Sequence, residues 1–302
     1  MSKEVCVIGA GPAGIMAASM AASRGLKVTL LEKNNRIGRK LFITGKGRCN
    51  ITNAIPIDEF FDYIVTNRNF LYSSLYSFTN EDIIKLLKEY GLETKVERGN
   101  RVFPKSDKSS DVIKAFERLL KDKGVDLRLN TRVKSIYYED EYFYINTDEE
   151  SFKCHGLILA TGGKSYPLTG STGDGYEFAK KFGHKIVNPK PALVPMALEG
   201  DWIKDLQGLS LRNVTLKTFV NNRLIHEEFG EMLFTHFGVS GPIILTLSRV
   251  VVEELEKKVP LNISIDLKPA LTPEKLDLRL QRDFFKYSRK QFKNSLDDLL
   301  PK

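Results

Sequence analysis

Three glycines and one glutamate near the N-terminus have the types and spacing of a dinucleotide site. Gly9, Gly11 and Gly14 follow the apolar run 4–8 and open a helix-like stretch of small residues, and Glu32 closes the next apolar run. Gly9 permits a sharp turn, Gly11 lets the backbone approach a pyrophosphate, and Gly14 lets the helix pack on the strand. The helix N-terminus offers free N–H groups to the phosphates, and Glu32 can accept from both ribose hydroxyls. Because an acid at this position disfavours a 2′-phosphate, the pattern predicts FAD or NAD.

The segment 34–53 is polar, rich in glycine and too long for a simple connector. Long loops in compact domains are usually functional. Its cations and backbone N–H groups are expected to cross the pyrophosphate or reach a flavin ring, and the candidates are Arg39, Lys40, Gly45, Gly47, Arg48 and Asn50. Cys49 has two interpretations: a reactive thiol whose pKa is lowered by the neighbouring Arg48, or a small buried packing residue.

A second backbone segment is expected to approach the dinucleotide. A buried strand over 156–160 leads into Ala160, Thr161, Gly162 and Gly163, and the turn 173–175 opens a helix over 176–182. Tyr166 either donates a proton, stacks on a flavin or simply packs. Further along, His236 lies in the glycine-containing corner 230–242, either as a hydrogen-bonded structural residue or as an acid or substrate contact. Ala13, Lys33 and Val133 complete the predicted cofactor-binding set, and no catalytic acid is assigned.

Alternating strands and helices must position these residues. Strand 4–8, helix 15–23 and strand 27–31 form a βαβ unit with parallel strands. Helical spacing recurs at 57–65, 69–77, 80–90 (capped by Thr79 or Asn80) and 111–123 (capped by Ser110 or Asp111). A strand is predicted at 125–129, and a hairpin over 132–138 and 141–147 turns at Glu139 and Asp140. From about Ala192 the pattern becomes β-rich, with strands at 193–198, 214–220, 223–229 and 261–266, a helical stretch at 242–255 and a long amphipathic helix at 275–300.

Composition narrows the class of protein. The 302 residues are 42% hydrophobic, without an apolar run long enough to span a bilayer, and the chain begins directly with a strand; these features predict a protein of the cytoplasm without a membrane partner. The three cysteines and four histidines are isolated, which predicts neither a metal site nor a disulfide framework. The net charge of +8 is spread along the chain. We therefore expect no nucleic-acid partner.

Four motifs taken in order resemble the BaiN/YhiN-like bacterial flavoproteins: VIGAGPAGIMAA, GRKLFITGKGRCNITN, ATGGKSYPLTGSTGDGY and GEMLFTHFGVSGPIIL. The resemblance runs through nearly the whole chain. It implies an α/β fold in which a Rossmann-type domain (1–191) holds FAD and carries an inserted β-rich domain (192–268) and a helical insert (269–302). Chains of that family are longer and return to the FAD domain after the helical insert. The resemblance therefore leads us to expect a chain that lacks one wall of the flavin site and binds FAD weakly.

The resulting hypothesis is a flavin-dependent oxidoreductase acting on a small organic substrate. NAD(P)H would reduce the flavin, which would then reduce an activated double bond. Only one G-x-G-x-x-G is present, so the nicotinamide would approach transiently. The alternatives are an oxidase using O₂, a non-catalytic flavin sensor, and an RNA-modifying flavoprotein suggested only by the basic charge. Family members include enone reductases and amine oxidases, so the resemblance leaves the substrate open, and the sequence leaves the oligomeric state open.

Overall fold

The structure is a computed structural model that describes residues 3–64 and 66–300. It divides into two compact units, Met1–Val187 and Asn188–Lys302. The strands of the first unit are β1 Glu4–Ile8, β2 Lys27–Leu31, β3 Thr52–Asn53, β4 Thr94–Glu97, β5 Arg101–Pro104, β6 Asp126–Arg128, β7 Val133–Glu139, β8 Tyr142–Thr147, β9 Ser151–Cys154 and β10 Gly156–Leu159. Its helices are α1 Pro12–Ser23, α2 Arg39–Gly47, α3 Tyr72–Ser77, α4 Asn80–Glu89, α5 Ser109–Asp122 and α6 Asp174–Lys181, with 3₁₀ turns at Ile57–Tyr63, Arg68–Leu71 and Pro167–Thr169.

The second unit has its own set of elements. Its strands are β11 Met196–Ala197, β12 Ser210–Val220, β13 Arg223–Thr235, β14 Gly238–Ser240 and β15 Leu261–Asp266. Its helices are α7 Pro242–Val250, α8 Val252–Glu256 and α9 Pro273–Lys286, with 3₁₀ turns at Asp201–Leu206 and Phe292–Asn294.

A four-stranded parallel sheet in the order β10–β1–β2–β6 organises the first unit. Ile8, the last residue of β1, lies opposite Leu31 on β2 and Leu159 on β10. Because the strands are parallel, their carboxyl ends meet at one edge of the sheet. Helix α1 begins at that edge, after β1, and leads back to the start of β2 at the opposite edge. This arrangement confirms the predicted βαβ unit and the Rossmann-type α/β fold.

Both faces of the sheet are buried, which explains why its strands are continuous apolar runs. On one face Val7 packs with α1 and α5 in the main core. On the other face the alternate residues Cys6 and Ile8 pack against β7, β8 and α6. The apolar positions that the sequence spacing assigns to α5 are all buried: Val112, Ile113, Phe116, Leu119 and Leu120.

Several helices of the first unit differ in their bounds or caps from the helices that the sequence predicts. Residues 39–47, predicted as a loop, form α2, although Thr44, Gly45 and Lys46 have non-helical backbone angles. Thr79 caps α4 as predicted and forms a reciprocal capping box with Asp82. By contrast, α5 begins earlier than predicted, at Ser109, with no side-chain cap. The predicted helix 57–65 is a 3₁₀ turn ending at Tyr63, and its last predicted residue lies outside the described residues.

The shortest strands of the first unit are not predicted by the sequence patterns. β3, β5 and β4 form a small antiparallel sheet, and β9 extends the β7–β8 hairpin. Of these elements, only the hairpin was predicted. The hairpin turns at Asp140 and Glu141, one residue later than predicted, and both have positive φ values, 48° and 65°. Two to four residues are too few to show a clear alternation of apolar and polar side chains.

The second unit is built on an antiparallel sheet in the order β11–β14–β13–β12–β15. Helix α7 packs on it, burying Leu216, Met232 and Leu247 in one core. β12 and β13 are longer than predicted, and α9 ends at Lys286, well before residue 300. A bilayer-crossing helix is absent from the described part of the chain, whose helices are too short or too polar. The division into domains 1–191, 192–268 and 269–302, two of them inserted, stays a prediction.

Candidate functional site

A cavity of about 430 Å³ opens at the carboxyl edge of the parallel sheet. Ile8, Leu31 and Leu159, the last residues of β1, β2 and β10, contribute apolar lining. Small-molecule sites usually occupy roughly 300–1,000 Å³. Ligands of open α/β sheets bind beyond the carboxyl ends of the strands. The cavity therefore lies where a dinucleotide is expected.

The three glycines of the turn differ in what surrounds them. A Cβ atom on Gly9, which has φ 101°, would lie 2.6 Å from the Ala160 carbonyl oxygen, and one on Gly14 would lie 1.8 Å from the Gly9 carbonyl oxygen. A Cβ atom on Gly11 would have no neighbour within 4 Å. Packing within the protein thus requires glycine at positions 9 and 14, whereas Gly11 faces open space in the cavity wall.

The N-terminus of α1 is available to an anion. Gly11 is its N-cap residue, no side chain caps it, and the first turn contains no acid. The first N–H groups of a helix have no partner within the helix and carry a partial positive charge. This geometry fits the pyrophosphate of a dinucleotide.

Glu32 is buried at the end of β2 and already holds the glycine turn in place. Its Oε2 accepts from the Ala10 N–H at 2.8 Å, and its Oε1 accepts from the backbone N–H and the side-chain amide of Asn34 at 2.9 and 2.6 Å. A carboxylate has about four acceptor positions. About one therefore remains for a ribose hydroxyl in this conformation, fewer than the two that the sequence pattern predicts.

Cations outnumber acids around the cavity. Four cations (Lys33, Arg39, Lys40 and Arg132) and two acids (Glu32 and Asp174) line it. Lys33 Nζ bonds Asp174 at 2.8 Å, whereas the other three cations make no ion pair with a described residue. Burial by itself would raise the pKa of Asp174, but the hydrogen bonds from Lys33 and Thr172 outweigh it and hold this pKa below its usual value. The lining therefore carries net positive charge, which suits a diphosphate.

The structure brings most of the predicted cofactor residues to this cavity. Those that line it are Gly9, Gly11, Ala13, Glu32, Lys33, Arg39, Lys40, Val133, Ala160, Thr161 and Gly162. Gly14 packs behind the turn. Those that do not line it are Gly45, Gly47, Arg48, Cys49, Asn50, Gly163 and Tyr166.

Arg48 is turned toward the small sheet instead of the cavity. Its guanidinium pairs with Glu97, bonds Asp107 at 2.8 Å and lies 4.2 Å from the centre of the Phe103 ring. The hydrogen bond from Arg48 lowers the pKa of Glu97, and hydrogen bonds from Lys95 and then Arg48 lower the pKa of Asp107. Arg48 thus fastens the end of α2 to β4 and to the segment after β5.

Of the two interpretations of Cys49, the structure supports the buried packing residue. Its side chain is 0% exposed and lines a second, apolar cavity of about 340 Å³ with Met16, Leu41 and Phe116. Burial raises the pKa of the Cys49 thiol, in spite of a hydrogen bond to Thr44 that lowers it. This direction is opposite to the one that a reactive thiol requires.

Two further candidates lie on the surface. Tyr166 is 67% exposed, has a φ of 53° and directly precedes a 3₁₀ turn. His236 is exposed at the turn between β13 and β14, with its ring centre 4.9 Å from that of Phe237. It makes no side-chain hydrogen bond to a described residue, so the geometry does not support the hydrogen-bonded structural interpretation, and a role as an acid or substrate contact stays a prediction.

Sequence patterns missed several residues that line the cavity, among them Asn34, Gly38 and Arg132. Asn34 joins Glu32 to Arg39, whose Nη1 donates to the Asn34 Oδ1 at 2.7 Å. Gly38, with φ 63°, donates its N–H to the Ala10 carbonyl and has no room for a Cβ beside Ile113. Arg132 reaches the cavity because the backbone N–H of Thr131 bonds the Glu32 carbonyl. The polar composition of 34–53 is a weak signal for the first two, and Arg132 has none.

No group of three or more His, Cys, Asp or Glu residues in the described ranges could hold a metal ion.

Comparisons with known proteins agree with this geometry. Residues 3–260 match the family described as HI0933-like protein Rossmann domain. The chain is 30% identical over 270 residues to the 3-dehydro-bile acid delta(4,6)-reductase of Clostridium scindens, covering 89% of this chain and 65% of that protein. It is 30% and 33% identical to the ribosomal RNA dihydrouridine synthases of Escherichia coli and Haemophilus influenzae, over 81% of this chain and 60% and 61% of those proteins.

The chain thus spans between 60% and 65% of the length of these relatives. Among solved structures, an open flavocytochrome c3 fumarate reductase aligns with 70% of this chain and 47% of that one at 21% identity, with a TM-score of 0.45. The family match over most of the chain confirms the resemblance inferred from the four motifs. The chain belongs to the HI0933-like Rossmann-domain family.

Proposed function

We propose that this protein is an FAD-dependent oxidoreductase that reduces a carbon–carbon double bond conjugated to a carbonyl group. The observation that carries the proposal is the cavity beyond β1 and β2, in which Gly11 faces open space at the uncapped N-terminus of α1. The turn fits the pyrophosphate of FAD, Glu32 fits a ribose hydroxyl, and the excess of cations fits the diphosphate charge. Bound FAD supplies hydride transfer.

The chain's own residues supply binding and orientation. Lys33 is held by Asp174 and Thr172 at 2.8 Å each, so it is a fixed positive group at the cavity wall. Arg39 and Lys40 enter on α2, where Asn34 and Ser165 orient them. Val133 and Arg132 close the side of the cavity next to Glu32. We assign the cofactor contacts to the residues that line the cavity and leave the catalytic acid unassigned.

The named relatives share one chemical feature. A 3-dehydro-bile acid delta(4,6)-reductase acts on a ring ketone with double bonds, and dihydrouridine differs from uridine by two hydrogens across a double bond next to a carbonyl. Reduction of such a bond is therefore the proposed reaction, with NAD(P)H as a transient donor. A small organic substrate is the first candidate, because the bile-acid enzyme matches 89% of the chain.

Uridine in RNA is the second candidate substrate. Two relatives named as ribosomal RNA dihydrouridine synthases and the net charge of +8 favour it. The expectation of no nucleic-acid partner rests only on the even spread of cations along the sequence.

Calorimetric titration of the chain with FAD is the first test. Saturable binding supports the proposal, and the dissociation constant also tests the expectation of weak FAD binding; titration without saturation would contradict the cofactor assignment. With FAD bound, NADH or NADPH is then added without oxygen, followed by an enone or an oligouridine. Loss of flavin absorbance and formation of a saturated product are expected, whereas reduction by an amine alone would indicate the oxidase alternative.

We place the protein in the cytoplasm, a proposal supported by three buried free cysteines.

A further inference from the structure

A groove on the first unit, away from the cavity, gathers cations, amides and an exposed aromatic ring. It encloses about 1030 Å³, and its lining is Ile64, Asn67, Arg68, Asn69, Phe70, Lys185 and Val187. Arg68, Asn69 and Phe70 belong to one 3₁₀ turn, and Lys185 follows α6. We name these seven residues the basic groove. None of the residues that line the cofactor cavity is among them.

The exposure of the groove residues is unusual for their type. Phe70 is 85% exposed and Val187 is 79% exposed, so neither contributes to a core. Burying an aromatic ring stabilises a protein by a few kcal/mol. A ring left in water in a groove of this size is therefore free to contact a partner.

The charges of the basic groove are also available. Arg68 and Lys185 make no ion pair with a described residue, and no carboxylate lines the groove. The nearest acids in sequence are Asp58, Glu59 and Asp62 of the preceding 3₁₀ turn, and none of them lines the groove. The groove consequently attracts a polyanion and has no acid of its own to repel it.

The combination of groups points to one class of partner. Cations hold phosphates, asparagine amides can pair with base edges, and a flat exposed ring can stack on an unpaired base. Double-stranded nucleic acid presents no free base faces and would leave Phe70 unused. We propose that the basic groove binds an unpaired segment of RNA, with one base stacked on Phe70 and phosphates held by Arg68 and Lys185. The proposal rests on the second candidate substrate, uridine in RNA.

Fluorescence anisotropy of a labelled oligouridine, added to the full 302-residue chain without flavin or nicotinamide, tests the proposal. We expect salt-dependent binding that Phe70→Ala weakens by about 5- to 150-fold, the effect of losing one stacked base. Phe285→Ala is the matched control, because Phe285 is 86% exposed on α9, and it should leave the affinity unchanged. Circular dichroism of both variants checks that they are folded.

The cations give an independent readout. Removing two phosphate contacts with Arg68→Ala and Lys185→Ala should lower the slope of log affinity against log salt by roughly 1.4. The control pair Arg24→Ala and Lys121→Ala, exposed cations outside the groove, removes the same charge and should leave most of the slope. Equal effects of the two pairs would show binding by net charge alone and overturn the proposal.

Several other results of the binding assay would also test the RNA proposal. No binding of oligouridine at low salt, equal binding of a duplex, or unchanged affinity in Phe70→Ala would overturn the proposal. A change in oligomeric state in Phe70→Ala without a change in RNA affinity would assign the groove to a protein partner instead. Because the assay contains no flavin, loss of the RNA proposal leaves reduction of a small enone untouched, and failure of the reduction leaves the groove assignment standing.

Discussion

Replacing Gly11 with alanine should separate ligand binding from folding. Gly11 has φ −77° and ψ 178°, which any residue adopts, and an added Cβ would meet nothing within 4 Å. Gly→Ala at a compatible position stabilises by roughly 0.4–1 kcal/mol through the unfolded chain, and loss of glycine at an N-cap offsets a similar amount. We therefore expect the free energy of unfolding to change by less than about 1 kcal/mol.

Ligand binding should respond much more strongly. The new methyl group would occupy the space that a phosphate oxygen needs in order to reach the N-terminus of α1. Losing one hydrogen bond to a charged group costs roughly 1.5–3 kcal/mol. This cost corresponds to about a 10- to 150-fold increase in the dissociation constant.

Calorimetric titration with ADP and FAD, together with urea unfolding, measures both quantities on the same protein. Gly156→Ala is the matched control, since its Cβ would meet Val5 at an ordinary 3.5 Å and lies outside the cavity lining. Gly14→Ala gives the opposite result, because the Gly9 carbonyl oxygen would be 1.8 Å away and α1 would have to move. If Gly11→Ala binds ADP as tightly as the unchanged protein, the pyrophosphate does not lie on this turn.

Three further predictions concern stability and thiol chemistry. Arg48→Ala should lower the free energy of unfolding, because it removes two carboxylate partners and the contact with the Phe103 ring, with no change in ADP affinity. The lowered pKa values of Glu97 and Asp107 mean that this stabilisation is complete above their ordinary values of 4.5 and 3.8 and is lost as pH falls below them. The unchanged protein should therefore lose more stability on acidification than Arg48→Ala, as urea unfolding across that pH window measures. Cys49 should resist alkylation in the native protein at neutral pH and react only after unfolding, as mass spectrometry would show. Phe116→Ala should cost about 3–5 kcal/mol, because this core ring is 4% exposed.

Each of these has a result that would contradict it. Equal acid sensitivity of the two proteins would show that Arg48 contributes no stabilising ion pair. Rapid alkylation of native Cys49 would restore the reactive-thiol interpretation. A small effect of Phe116→Ala, comparable with that of an exposed phenylalanine, would place Phe116 outside the core.

Sequence patterns predicted an element correctly where the residues that specify it lie close together in the chain. The predictions of the glycine turn, α1 and β2 are confirmed, because strand, turn and helix are adjacent in sequence and the backbone leaves no room for a Cβ atom on Gly9 or Gly14. The burial of α5 follows from its 3.6-residue spacing. Residues 39–47 were mistaken for a loop because their glycines and cations outweigh a helical stretch only a few residues long.

The sequence by itself determined the class of this protein, namely a Rossmann-type unit and its family, and it predicted a dinucleotide site at one turn. Only the tertiary structure decided which side chains share a surface. It directs Arg48 to Glu97 and Asp107, buries Cys49, and brings Arg132 beside Glu32. It likewise gathers Arg68 and Lys185, far apart in the chain, into one groove. The physical reason is that turns and helices depend on interactions within a few residues, whereas the surroundings of a side chain depend on sheet order and on packing between distant segments.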